Sequence, residues 1–137
     1  MNKSALDITW VLLCAGLVFV MQAGFLCLES GLTRAKHSIN VAIKNLTDFG
    51  VAVILFWLLG YGLMFGVSRG GWIGQTDWLY PVGRGEAWLD AFFLFEVMFC
   101  ATSATILSGA VAERVRFSAY LIMTVLVSGL FYPMFGH

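Results

Sequence analysis

Four long apolar stretches alternate with three polar links along the chain. The stretches cover residues 8–28, 49–68, 91–112 and 117–137, and among them only the third contains a charged side chain, Glu96. An α-helix needs about 20 apolar residues to cross a bilayer. Because every backbone polar group in hydrocarbon must be bonded within its own segment, these stretches are predicted to be helices. We expect one all-α, polytopic membrane domain over residues 1–137, with transmembrane helices at about 8–30, 45–67, 89–111 and 117–137.

The composition excludes several other classes of protein. Hydrophobic residues make up 60% of the chain and charged residues 12%, whereas soluble domains carry about 25% charged residues. The formal net charge of zero gives no electrostatic basis for binding nucleic acid. Cys14, Cys27 and Cys100 lie in apolar stretches without the spacing of a metal or redox site. No nucleophile–base pair is visible, so we expect no enzyme, no metal and no cofactor.

The distribution of basic residues predicts the orientation in the membrane. The first and third links hold five of them, against three in the N-terminal stub and the second link. The five are Arg34, Lys36, Lys44, Arg114 and Arg116, and the three are Lys3, Arg69 and Arg84. Cytoplasmic links carry the excess of basic residues, so the N-terminus is predicted to lie outside a cell (inner or plasma) membrane. Lys44 and Asp48, four residues apart, are expected to pair.

Aromatic residues support this orientation. Trp and Tyr concentrate at membrane interfaces, and six of them fall near the predicted outer boundary. They are Trp10, Trp72, Trp78, Tyr80, Trp88 and Tyr132. The glycine-rich second link, 67–90, is expected to fold over the outer ends of the helices.

The third stretch carries the candidate site. At 3.6 residues per turn, Phe92, Phe95, Glu96, Phe99 and Ser103 share one helix face. A charge at membrane depth is costly and usually functional, and phenyl faces attract cations. This face is therefore predicted to bind a small, weakly hydrated cation such as ammonium. Two other interpretations stay open: the rings pack against neighbouring helices, or the carboxylate pairs with a polar group on another helix.

Several motifs resemble the ammonium/methylammonium/Rhesus transporter superfamily. They are FEVMF at 95–99, SGAVAER at 108–114, AGF at 23–25, ESG at 29–31, RAK at 34–36 and GYG at 60–62. The resemblance implies a domain of eleven helices, an outside N-terminus and a homotrimer with one pore per subunit. This chain would then be the N-terminal four-helix portion of an incomplete ammonium-transporter fold.

The resemblance also implies a mechanism. Family members recruit ammonium at an outer aromatic vestibule, where it loses a proton, and ammonia then crosses a hydrophobic lumen lined by two histidines. Two stacked phenylalanines gate the lumen, and by motif they match Phe95 and Phe99; Phe99 would also belong to the vestibule. The family usually has glutamine where this chain has Glu96. No residue here matches the lumen histidines, the vestibule serine or the fifth-helix aspartate.

Three functions remain open from the sequence. The first is an ammonium transport channel, with ammonium or ammonia as substrate and the lipid bilayer as surroundings. The second is the ammonium-sensing membrane domain of a signalling protein, and the third is a small four-helix cation or drug exporter. Because the family's pore lies between two inverted halves, the isolated chain is expected to transport nothing.

Overall fold

Four long helices form the architecture of the computed structural model, which describes residues 4–68, 70–83, 85–111 and 114–137. The helices are α1 (Ala5–Leu32); α2 (Ala35–Leu55, continued by a π-helical turn Phe56–Gly60 and by Tyr61–Phe65); α3 (Ala87–Val111); and α4 (Phe117–Leu126, continued by a π-helical turn Val127–Phe131 and by Tyr132–Gly136). Within the described residues, all four are long and apolar enough to cross a membrane. The predicted all-α class with four spans is thereby confirmed.

Two helices begin earlier in the chain than the sequence predicts. α1 begins at Ala5 rather than 8 because Ser4 and Asp7 form a capping box, with Ser4 Oγ accepting from the Asp7 amide at 3.2 Å. α2 begins at Ala35 rather than 45, ten residues before the predicted start. Residues 35–45 contain no glycine or proline, so a segment that is too polar for lipid still continues the helix.

Small side chains hold α3 at the centre of the bundle. Ala101 and Ala104 are fully buried and pack against Ala52 of α2. Ser108 is also buried, and it faces α1. Small residues let helix backbones approach closely, so α3 contacts the other three helices while most of α1 remains exposed.

The second link folds back onto the end of α2. The carbonyl oxygens of Trp57 and Leu58, inside the π-helical turn, accept from the amides of Tyr80 (3.3 Å) and Leu79 (3.2 Å). The indole N–H of Trp57 donates in return to the Tyr80 carbonyl at 2.8 Å. A π-helical turn interrupts the regular i→i+4 hydrogen bonds of an α-helix. The amides of the link bond to two carbonyl oxygens of this turn.

Glycines permit this close docking. A Cβ on Gly62 would lie 2.6 Å from the Thr76 carbonyl oxygen, and one on Gly66 would lie 2.7 Å from the same atom. Both distances are far below van der Waals contact, so the link and α2 meet backbone to backbone.

The two ends of the bundle are distinct. The end that carries the second link also receives the C-terminus, where Nδ1 of His137 lies 2.8 Å from the Met64 carbonyl oxygen. At the opposite end Nζ of Lys44 donates to the Val115 carbonyl at 3.1 Å. The first and third links therefore share one end, as four antiparallel spans require. Lys3, Arg69, Arg84 and Glu113 lie outside the described residues.

Candidate functional site

The three predicted site residues lie within one turn of α3. The ring centroids of Phe95 and Phe99 are 4.7 Å apart, with an interplanar angle of 54°. Phe95 and Glu96 are half-buried, and Phe99 is 41% exposed. Because residues four apart meet on a helix, the two rings form a pair on a face that is partly open.

Glu96 is attached to α4 by one hydrogen bond. The hydroxyl of Tyr132 donates to its Oε2 at 3.3 Å. Oε1 accepts from no described residue, so it is available to another donor. Tyr132, which the sequence placed in an interfacial belt, packs its ring 6.0 Å from that of Phe56 inside the bundle. Tyr132 is thus the polar partner on another helix that the sequence analysis considered for Glu96, and it bonds to only one of the two carboxylate oxygens.

The predicted aromatic stripe divides into two groups. Phe92 packs on Phe65 (5.1 Å) and Trp88 (6.5 Å), away from the Phe95–Phe99 pair. Phe93, on another face of α3, stacks on Tyr80 of the second link at 4.5 Å and 15°. Phe92 and Phe93 therefore anchor the link end of the bundle rather than extending the candidate site.

An acidic aromatic cavity of about 270 Å³ lies under the second link. Its lining includes the rings of Tyr61 and Tyr80 and the carboxyl groups of Asp77, Glu86 and Asp90. The Tyr80 hydroxyl donates to Asp90 Oδ1 at 3.2 Å. Burial, and then this bond, raise the pKa of Tyr80 to about 12. The phenol is therefore neutral, and three carboxyl side chains line a cavity at the N-terminal end of α3, the end nearer to Glu96.

A second polar cluster lies deeper in the bundle, toward the opposite end. Oε2 of Glu29, on α1, accepts from Nδ2 of Asn45 at 2.9 Å and from the Ser108 hydroxyl at 3.1 Å. Two turns away along α1 and one turn away along α3, Nε2 of Gln22 donates to the Thr105 hydroxyl. These bonds join α1 to α2 and α3 where the sequence predicted only a helix end and a polar link.

Asp48 is fully buried beside this cluster. Its Oδ2 accepts from the hydroxyl of Tyr120. Lys44, predicted to pair with Asp48, instead donates to Val115 and lies 5.6 Å above the Tyr120 ring. Both side chains therefore stabilise the contact between α2 and the start of α4 rather than each other.

Metal ligation finds no support in the described part of the chain. Residues 4–68, 70–83, 85–111 and 114–137 contain no group of three His, Cys, Asp or Glu side chains arranged to hold an ion. The site chemistry available is therefore that of carboxylates, hydroxyls and aromatic faces.

The sequence did not predict that Tyr132 bonds to Glu96, nor that Glu29 lies in a buried polar cluster. A polar residue recurring in an apolar stretch, such as Gln22 and Glu29 seven apart on α1, was the available indication of a buried polar face. Nothing local indicated Tyr132, whose partner is 36 residues away.

Known proteins resemble this chain over nearly its whole length. A protein of Synechocystis sp. named as a candidate ammonium transporter is 62% identical over 133 residues, which is 97% of this chain and 24% of that protein. Ammonium transporter Amt2 of Archaeoglobus fulgidus is 44% identical over 136 residues, 96% of this chain and 28% of its own length. A solved structure named Sensor Amt Protein superposes with a TM-score of 0.89 at 36% identity, over 96% of this chain and 33% of that one.

These matches define the chain's relation to longer proteins. The chain spans about a quarter to a third of the length of the relatives that it matches. The first two relatives are named as transporters, not as enzymes, and nothing in these matches favours a small four-helix exporter. The model of the Ammonium Transporter Family matches residues 9–137. The chain belongs to the ammonium transporter family.

Proposed function

We propose that this chain forms the entrance of an ammonium transport channel, in which Glu96, Phe95 and Phe99 receive ammonium and the two rings gate the way to a hydrophobic pore. The observation that carries this proposal is the Phe95–Phe99 ring pair, 4.7 Å between centroids, next to a half-buried carboxylate on a partly open helix face. The family membership and the names of the relatives support ammonium as the substrate.

The physical basis is the partial replacement of water around the cation. A phenyl face attracts a cation by roughly 0.5–2 kcal/mol, more when the cation is desolvated. The free Oε1 of Glu96 adds a charged acceptor, while Tyr132 restrains Oε2. The carboxylate also offers a place for the proton that ammonium releases before ammonia enters the pore. The remainder of the full-length protein would complete that pore.

The test compares Phe99→Ala with Leu94→Ala in the full-length protein. Both side chains are 41% exposed and lie on the same helix, but on different faces. We expect Phe99→Ala to change the concentration dependence or rate of methylammonium uptake by about tenfold, the equivalent of about 1.4 kcal/mol, and Leu94→Ala to leave both unchanged. Equal effects of the two substitutions would contradict a special role for Phe99.

The orientation and assembly form part of the proposal. The charge distribution supports a multi-pass protein of the cell membrane with an outside N-terminus, and the exposed apolar face of α1 suits contact with lipid or with other subunits of a homotrimer. Labelling of a cysteine introduced in the second link, by a reagent that does not cross membranes, tests the orientation. The native mass in detergent tests the trimer.

A second function is favoured by one observation. The solved structure with a TM-score of 0.89 is that of a protein named Sensor Amt Protein. In a sensor, the Glu96 face would bind ammonium and change the conformation of an attached signalling domain without conduction. Proteoliposomes separate the two functions: ammonium binding without saturable methylammonium uptake supports the sensor, and uptake supports the transporter.

A further inference from the structure

Six buried side-chain oxygens have no hydrogen-bond partner among the described residues. Two are the hydroxyls of Thr124 and Ser128, and the other four are acceptors only: Gln22 Oε1, Glu29 Oε1, Asn45 Oδ1 and Asp48 Oδ1. Buried acceptors are nearly always bonded, so these four, on the packed helices α1 and α2, indicate that a donor from outside this chain segment enters here.

Glu29 has one carboxylate oxygen that is hydrogen-bonded and one that is not. Its side chain is 93% buried, and Asn45 and Ser108 both donate to Oε2, so the two bonds fix the carboxylate and leave Oε1 free. No lysine or arginine in the described residues pairs with it. Lys44, a buried amine in this region, instead donates to the Val115 carbonyl and lies over the Tyr120 ring.

Glu29 lines a groove between α1 and α3, and its Oε1 is buried in the wall of that groove. The groove has a volume of about 400 Å³ and apolar walls that include Phe25, Leu28 and Ile106, with Glu29 and Gly109 among its lining residues. A Cβ on Gly109 would lie 3.1 Å from Oε1. The absence of a side chain at position 109 therefore keeps open the space next to the unbonded oxygen.

We propose that Glu29 forms a second binding site for ammonium, at the end of the bundle opposite to the second link. A cation that donates hydrogen bonds would satisfy Oε1 and neutralise the carboxylate, and the phenyl ring of Phe25 gives the groove one aromatic wall. Glu96 and Ser108 are twelve residues apart on α3, so the two sites are separated by about 18 Å along that helix. Only the choice of ammonium rests on the proposed function; the site itself rests on the free oxygen and the groove.

The test measures the melting temperature of the full-length protein in detergent, in ammonium chloride against sodium chloride at equal ionic strength. Binding to the native state raises the melting temperature. We use Glu96→Gln as the background, which removes the first site. In that background ammonium still raises the melting temperature, and adding Glu29→Gln abolishes the rise. The glutamine can keep the bonds from Asn45 and Ser108 through its oxygen while placing its amide donors where Oε1 lies.

Two glycine substitutions provide a matched pair. Gly109→Ala places a methyl group beside Oε1, whereas Gly24→Ala on α1 meets nothing within 4 Å. We expect the first to raise the ammonium midpoint by about tenfold or more, as loss of a hydrogen bond to a charged group does, and the second to leave it unchanged.

The opposing results are equally specific. If Glu96→Gln alone removes the ammonium response, the outer site is the only one and the inference is wrong. If the response persists in the double variant, Glu29 is not the ligand. If Glu29→Gln raises stability in sodium chloride and ammonium has no effect, Glu29 has only a structural role and the inference is wrong. A wild-type protein that shows the Glu29-dependent response but no methylammonium uptake would overturn the proposed transport function and leave this site intact.

Discussion

The same substitution, glycine to alanine, is predicted to have opposite effects at two positions of α2. Gly50 lies in the helix interior, and a Cβ there meets nothing within 4 Å. Alanine is favoured over glycine in a helix by about 0.5–1 kcal/mol, so Gly50→Ala should stabilise the protein by that amount. Gly62→Ala should destabilise it, because its Cβ would lie 2.6 Å from the Thr76 carbonyl oxygen, a backbone atom that cannot rotate away.

The loss of stability expected for Gly62→Ala follows from the hydrogen bonds that break when the second link is displaced from α2. Among the described residues of the link, three donate backbone hydrogen bonds to α2: Leu79 to Leu58, Tyr80 to Trp57, and Gly74 to Leu63. At about 1 kcal/mol net for each bond, displacing the link costs roughly 3 kcal/mol.

The assay is the free energy of unfolding in mixed micelles of dodecyl sulfate and a non-ionic detergent, with protease cleavage in the link as a second readout. Gly62→Ala should lower the unfolding free energy and speed cleavage; Gly50→Ala should do neither. If Gly62→Ala is as stable as Gly50→Ala and equally resistant to protease, the backbone-to-backbone docking of the link is wrong.

Three further outcomes are expected. Tyr120→Phe should cost about 1.5–3 kcal/mol of unfolding free energy by removing the donor to a buried carboxylate. Adding Asp48→Asn should recover part of that cost, and a coupling energy below about 0.5 kcal/mol in the double-mutant cycle would contradict the contact. The raised pKa of Tyr80, about 12 against 10.0 for a free phenol, means that the unfolded chain loses this proton first. Stability should therefore fall as the pH rises from 10 to 12, and Tyr80→Phe should make that fall smaller by the contribution of this one phenol. Tyr132→Phe releases Oε2 of Glu96 and should shift the half-saturating methylammonium concentration more than the maximal rate; uptake identical to wild type would exclude a positioning role.

The fold class followed from the sequence because lipid imposes a strong constraint. Long apolar stretches in a bilayer have few solutions other than helices, and all four predicted helices are present in the structure. The start of α2 did not follow, since residues 35–45 are polar and hydropathy alone ends a span there. Asn45, inside α2, is polar because it bonds to Glu29, a contact across 16 residues.

The candidate site was only partly predictable for a similar reason. The pairing of Phe95 with Phe99 is set by the helical repeat and could be derived from spacing. The contact of Glu96 with Tyr132 depends on how α4 rotates after its π-helical turn, which periodicity of 3.6 does not describe. The bonds of Glu29 depend on the packing of α1 against α3, since Ser108 is 79 residues away.

The two π-helical turns have a consequence for comparing this chain with others. Each turn, Phe56–Gly60 and Val127–Phe131, closes with a bond five residues apart, from Tyr61 to Phe56 and from Tyr132 to Val127. Such a turn accommodates one residue more than an α-helical turn. Because the turn takes up that residue, the side chains beyond it keep their faces, whereas an ungapped count of 3.6 residues per turn across it misplaces them by about 100°. A one-residue gap inside a membrane span is therefore compatible with the same bundle here, and an alignment that forbids such gaps would assign Tyr61 and Tyr132 to the wrong helix faces.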